Sequence, residues 1–323
     1  MLYYIVMDIM LKGGVVFSML DVTLVGCGGT IPLKKRWLTA CMMRYNGKCL
    51  LIDCGEGTQI AMKEASLPFK PLSVICLTHF HADHISGLPG LLLSMGGEGR
   101  TDPVVIIGPG NVQKYISSLL IIAPELPFEV ICVPINEKVE TFVFDGFYIT
   151  AFHVNHTITC YGYTIEIPRA GKFDPERARR NSVPLRVWNK LQKNLTAEYE
   201  GVIYTQDMVM GPPRRGIKVT YCTDTRPMPI ITDQASGSDL FICEGMYGDE
   251  DKAGRARESR HMTFSEAANL AAAAPIKPRR MWLTHYSPSM PDPEAYIGEA
   301  KAIFPDAICG RDGMSVTIRF DNE

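Results

Sequence analysis

Thr78-His79-Phe80-His81-Ala82-Asp83-His84 packs three of the chain's seven histidines and a carboxylate into six positions, directly after the apolar run Val74-Ile75-Cys76-Leu77. Imidazole nitrogens are borderline-soft donors and Asp offers a hard oxygen, a set that suits zinc and related first-row ions. The β-prone run starts the motif with strand-like period two, so His79 and His81 project to one side. Ala82 is small enough for a turn, after which Asp83 and His84, being neighbours, point in divergent directions. A catalytic ion takes about four protein ligands or fewer, so one loop with these donors can serve two ions. A lone histidine is more often a core or surface residue than a ligand, but this density, with an Asp included, is a metal motif.

The other histidines extend it. Ile149 to Phe152 is strand-like and leads to His153 and His156; Val219-Thr220-Tyr221 leads to Cys222-Thr223-Asp224-Thr225-Arg226. Trp282-Leu283-Thr284-His285 repeats the apolar-Thr-His ending of Leu77-Thr78-His79. Four strand ends thus each deliver a metal-competent side chain, the place where open α/β sheets set their chemistry.

With these motifs the chain resembles the metallo-β-lactamase fold hydrolases, whose defining element is His-x-His-x-Asp-His, and among them the ribonuclease Z family, which trims the 3′ trailer from precursor tRNA. The resemblance runs from Met19 onward. It takes in Asp53-Cys54-Gly55-Glu56-Gly57-Thr58-Gln59, Leu77 to Gly90, His156 with Cys160-Tyr161-Gly162-Tyr163, and Gly211-Pro212-Pro213. Thr223-Asp224-Thr225-Arg226-Pro227, Glu244, His261-Met262-Thr263 and Thr284-His285-Tyr286-Ser287 complete the series.

The resemblance implies an α/β fold, a four-layer αβ/βα sandwich with an inserted basic arm. Position by position it implies one zinc ion on His79, His81 and His156, a second on Asp83, His84 and His285, and Asp224 between them; manganese or another divalent ion fits the same donors. It further implies that Asp83 accepts a hydrogen bond from the attacking water and that Glu244 and His261 deliver a proton to the leaving 3′ oxygen. Precursor tRNA as substrate, a homodimer and a cytoplasmic location go with it. His153 has no counterpart role and is expected to be a strand residue beside the site.

Composition agrees with a globular enzyme: 46% hydrophobic and 21% charged residues over 323 positions, with a net charge of −2. No apolar window approaches the ~20 residues of a membrane span. The ten cysteines are scattered with no Cys-x-x-Cys pair, which points to reduced, buried thiols. Residues 1–18 are apolar but lack the basic start and cleavage site of a secretory signal, and are expected to be a dispensable extension ahead of a hydrolase domain at 19–323. Gly26 to Thr30 fails the dinucleotide pattern, since Ile31 stands where the third glycine belongs; a tight turn between strands is expected. Gly55 to Gln59 is expected to open a helix through Ala65. Another should start at Thr263, with Glu266 completing a capping box and Pro275 stopping it, and a third should run from near Pro293 to Pro305.

Between His156 and Asp224, residues 169–193 carry eight basic and two acidic side chains, a local charge of +6 in a net-acidic chain. A charge run is usually a solvated face. Its place between two ligand motifs, where a compact core needs only a short link, favours an inserted arm at 169–194 that grips RNA phosphates through Arg169, Lys172, Arg177, Arg179, Arg180, Arg186 and Lys190. Trp188 is expected to anchor the arm's own small fold rather than to stack on a base. The arm's tip, Asn181 to Trp188, lacks the Gly-Pro character of the family's arms. Two rivals remain: an enzyme of the same fold acting on small cyclic or aryl phosphodiesters, and an RNA-binding protein with a dead site. The first has no need of a basic arm, and the second no need of seven intact ligands.

Overall fold

Leu72–Cys76 is buried at every position, as is Leu240–Glu244. Strands that read as continuous apolar runs are covered on both faces and belong at the centre of parallel sheet. Each sits within its own seven-stranded mixed sheet in the computed structural model, which describes residues 19–321. The expected extension at 1–18 lies outside the described residues.

The first sheet contains β1 (Met19–Gly26), β2 (Ala40–Tyr45), β3 (Lys48–Ile52), β4 (Leu72–Cys76), β5 (Val104–Pro109) and β6 (Val130–Ile135), with the last strand, β16 (Ser315–Arg319), outside β1. The second contains β7 (Val139–Phe144), β8 (Phe147–Val154) and β9 (Cys160–Arg169), then β12 (Arg214–Cys222), β13 (Leu240–Glu244), β14 (Met281–Thr284) and β15 (Ala307–Cys309). In each, three antiparallel pairings are followed by three parallel ones. The edge strand β7 alternates exposed and half-buried residues, the mark of a strand solvated on one side.

Leu24, Met43, Leu50, Val74, Ile107, Ile149, Tyr163, Val219, Ile242 and Trp282 fill one core with side chains from both sheets. The outer face of the first sheet packs against α1 (Thr58–Glu64), α3 (Leu88–Gly97) and α4 (Val112–Leu119), after the single turn α2 (Ala82–Ile85). That of the second packs against α7 (Pro229–Ala235), α9 (Phe264–Ala273) and α10 (Ile297–Ile303), with α8 (Ala253–Ser259) preceding α9 in the chain. Helices thus flank two facing sheets. The expected capping box opens α9, with Thr263 and Glu266 exchanging hydrogen bonds. A 3₁₀ turn at Pro293–Tyr296 leads into α10.

Two local expectations change. Residues 26–30 are no tight turn: Gly28 bridges to both Leu38 and Tyr286, so the segment is the start of a long loop laid across the sheet ends. Asp83 and His84 do not diverge, because Ala82 begins a helical turn that keeps both side chains on one side.

The excursion between β9 and β12 spans 170–213, of which the basic stretch is the first half. It contains α5 (Pro175–Arg180), α6 (Leu185–Leu191) and a hairpin of β10 (Thr196–Tyr199) and β11 (Val202–Thr205). Ala178, Val183, Val187, Leu191, Ala197 and Val209 form a separate small core. Trp188 belongs to it, packing on Phe173 and donating its indole N–H to Val183 O at 2.9 Å. Glu198, Glu200 and Asp207 in the hairpin half offset part of the charge on the helices. Arg169 stands apart: it ends β9, lies over the Phe320 ring and donates to Asp321 O.

Candidate metal centre

All seven expected donors converge where loops leave the two sheets. His79, His81, His156 and Asp224 form one group, and Asp83, His84 and His285 a second; within each, the candidate ligand atoms lie within 4.8 Å of one another. Asp224 joins the groups. Its Oδ2 lies 3.7 Å from Nε2 of both His79 and His156, and its Oδ1 lies 3.2 Å from Nε2 of both His84 and His285.

The donors fit cations. His84 Nε2 faces His285 Nε2 at 3.2 Å, and His81 Nδ1 faces Nε2 of His79 at 3.0 Å and of His156 at 3.2 Å. Lone pairs so placed repel unless a proton or a cation lies between them. Asp224 Oδ1 is buried without a hydrogen-bond partner, which a native site rarely tolerates without an ion or water. Burial opposes ionisation of Asp224, yet the imidazoles of His285, His84 and His79 hold its carboxyl well below the usual range. Burial, reinforced by neighbouring imidazoles, pushes His79 well below its ordinary value and keeps it in the neutral form that binds metal.

The backbone is bent to make this arrangement. Asp224 (φ 52°) and His285 (φ 59°), each just past a strand end, occupy the left-handed region, as does Asp53 (φ 59°). Outside glycine such conformations cost of order 1–3 kcal/mol and cluster at functional sites. Gly29 is pressed so close to His285 that a Cβ would fall 2.7 Å from its ring. Gly55 likewise abuts the carbonyl oxygen of Asp83, at 2.4 Å from a built Cβ.

Several contributors carry no metal-motif signal in the sequence. Asp53 accepts hydrogen bonds from Thr78 N, Thr78 Oγ1 and, at 2.8 Å, His84 Nδ1. Thr30 N donates to Asp83 Oδ2 at 2.6 Å. The Asp-Cys-Gly-Glu-Gly segment held the clue to Asp53, whereas nothing local marks Thr30.

Glu244 ends β13, fully buried, and accepts from His261 Nδ1 at 3.1 Å, Met262 N and Thr225 N. Desolvation disfavours the His261 imidazolium, but the Glu244 carboxylate outweighs it and raises the group to about 9. The His261 ring stacks on His285 with centroids 5.5 Å apart, and His261 also groups geometrically with Asp224 and His285. His153 joins none of these groups; it lies in β8 with its ring edge-on to Tyr161. Of the basic residues expected to bind substrate, Lys172, Arg179, Arg180, Arg186 and Lys190 are exposed and Arg177 is half-buried.

Two facing mixed sheets, flanked by helices and carrying a His/Asp cluster on their connecting loops, define a protein of the metallo-β-lactamase fold. The metallo-β-lactamase fold protein YhfI from Bacillus subtilis superposes with a TM-score of 0.67 at 18% identity, covering 93% of this chain and 99% of that one. Human tRNase Z, short form, superposes with a TM-score of 0.63 at 22% identity, covering 92% and 98%. A family model described as Anti-Pycsar protein Apyc1 matches residues 20–123, the part that holds the first histidine motif. Ribonuclease Z of Agathobacter rectalis is 54% identical over 305 residues, 94% of this chain and 100% of the relative. The chain belongs to the ribonuclease Z family, metal-dependent endoribonucleases of tRNA 3′ processing.

Proposed function

We propose that the chain removes the 3′ trailer from precursor tRNA with two zinc ions, one on His79, His81 and His156, the other on Asp83, His84 and His285, with Asp224 shared. The observation that carries this assignment is the split of Asp224, whose two oxygens face different histidine groups. Divalent ions bound there, zinc or manganese, would supply the positive charge that ionises a water near neutral pH and offsets the charge of an in-line phosphoryl transition state. Hydrolysis joins the water oxygen to phosphorus and breaks the bond from phosphorus to O3′, which leaves with its electron pair and takes up a proton.

Asp83 accepts the water's hydrogen bond and orients it. His261 gives the proton to O3′ from Nε2, and Glu244 holds its Nδ1 and keeps it charged. His81 is the half-buried member of its group and His261 keeps 12% of its side chain exposed, so substrate enters on their side.

The excursion at 170–213 serves as the RNA-binding arm, its exposed Lys172, Arg179, Arg180, Arg186 and Lys190 contacting phosphates. All ten cysteines are free, in keeping with a cytoplasmic enzyme. Among the described residues no helix is long and apolar enough to cross a membrane. A homodimer belongs to the same proposal. Incubation of the protein with end-labelled precursor tRNA, with and without chelator, tests the whole. One metal-dependent cut at the 3′ end of the acceptor stem is expected, and an intact precursor with metal present would refute it.

A further inference from the structure

Three loops meet around His261, at 155–156, 224–226 and 260–262, and one residue, Arg226, ties them together through its backbone and its side chain. The backbone N–H of Arg226 donates to Asn155 O at 3.0 Å. Its guanidinium grips both carboxylate oxygens of Glu266, and Nη1 also donates to the carbonyl oxygen of His261. Glu266 is itself fixed, because its Oε2 accepts the N–H of Thr263 at 3.0 Å in the cap of α9. Arg226 and Glu266 are only 17% and 23% exposed, so solvent screens this contact weakly. A planar guanidinium makes such a three-way grip; an ammonium, a point charge, does not.

We propose that Arg226 is a positioning residue for RNA cleavage: by clamping the His261 carbonyl to Glu266 and the α9 cap, it holds the His261 imidazole where it meets both Glu244 and the leaving oxygen. This rests on His261 as the proton donor. Arg226 adds no group to the reaction itself. A clamp that served only to stabilise α9 would affect every substrate alike, whereas a positioning role is felt only where the leaving group needs a proton.

Sulfur in place of the bridging 3′ oxygen at the scissile phosphate makes that distinction, since a thiolate leaves without proton transfer. Single-turnover rates are measured on the oxygen and sulfur precursors with metal-loaded wild type, Arg226→Ala, Arg226→Lys, His261→Ala and the Arg226→Ala/His261→Ala double variant. Arg226→Ala is expected to slow the oxygen precursor roughly 10- to 100-fold, the range for a misplaced proton donor, and to affect the sulfur precursor much less. Arg226→Lys keeps the charge, loses the fork and shows the same pattern, so it serves if the alanine variant fails to fold. Arg226→Ala adds nothing to His261→Ala. Equal losses on the two precursors, or full additivity in the double variant, would overturn the proposal. A wild-type rate for His261→Ala on the oxygen precursor would overturn the proton-donor assignment and this proposal with it.

Discussion

His84 Nδ1 and Asp53 Oδ2 lie 2.8 Å apart, with neither side chain open to solvent. The contact fixes the tautomer and orientation of the ring, so that Nε2 faces Asp224 and His285. Carboxylates that orient a ligating histidine typically account for 10- to 100-fold in metal affinity. Asp53→Asn keeps a residue that tolerates the left-handed backbone at this position while removing the charge. It is expected to weaken metal binding roughly 10- to 100-fold, read by competition with a chromophoric chelator. Wild-type affinity would remove Asp53 from the site.

The split of Asp224 makes a second expectation countable. His156→Ala removes a donor from one group and His285→Ala from the other, so each should lower the metal content of the purified protein by about one ion relative to wild type. Asp224→Ala should weaken both sites. Native mass spectrometry reads the stoichiometry directly. Equal metal content in the two histidine variants and wild type would contradict the two-site arrangement.

How much of this was legible in the sequence depends on how local the signal is. Strand-end histidines, the Thr263 and Glu266 cap and the basic stretch are all marked within a few residues. The pairing of Gly29 with His285, of Thr30 with Asp83, and of Arg226 with Glu266 joins residues 40 to 256 positions apart, and no spacing rule reaches that far. The far end of the excursion was missed for a related reason: its hairpin is not basic, so charge marked only the helical half.

The contact between His261 and Glu244 sets a pH dependence with a definite sign. Glu244 raises the imidazole from its usual 6.5 to about 9, and bound cations would pull it back toward neutrality. The acid form is therefore present at low pH and lost as pH rises through that interval. Single-turnover cleavage should show a descending alkaline limb with its midpoint between these values. Glu244→Gln removes the carboxylate, so the limb should move to lower pH with a reduced plateau. A limb that stays in place in Glu244→Gln would assign it to another group.

The excursion at 170–213 can be removed without opening either sheet. Arg169 and Arg214, at its two ends, are register partners in the β9 and β12 ladder, so a short Gly/Asn turn can rejoin the strands as a hairpin. Its small core shares no residue with the cores between and outside the sheets. The shortened protein should therefore retain hydrolysis of bis(p-nitrophenyl) phosphate, which needs the metal centre alone. Precursor tRNA should suffer, because each lost phosphate contact lowers the slope of log affinity against log salt by about 0.9 on a duplex. A loss of roughly 100-fold or more in kcat/KM near 0.1 M salt is expected, together with a flatter salt dependence. A milder variant, with the exposed Lys172, Arg179, Arg180, Arg186 and Lys190 changed to Gln, should show the same flattening with the small core intact. Undiminished cleavage of precursor tRNA by both variants would show that the excursion does not hold RNA. Equal loss of both activities on deletion, with the Gln variant unaffected, would make it a structural support for the second sheet instead.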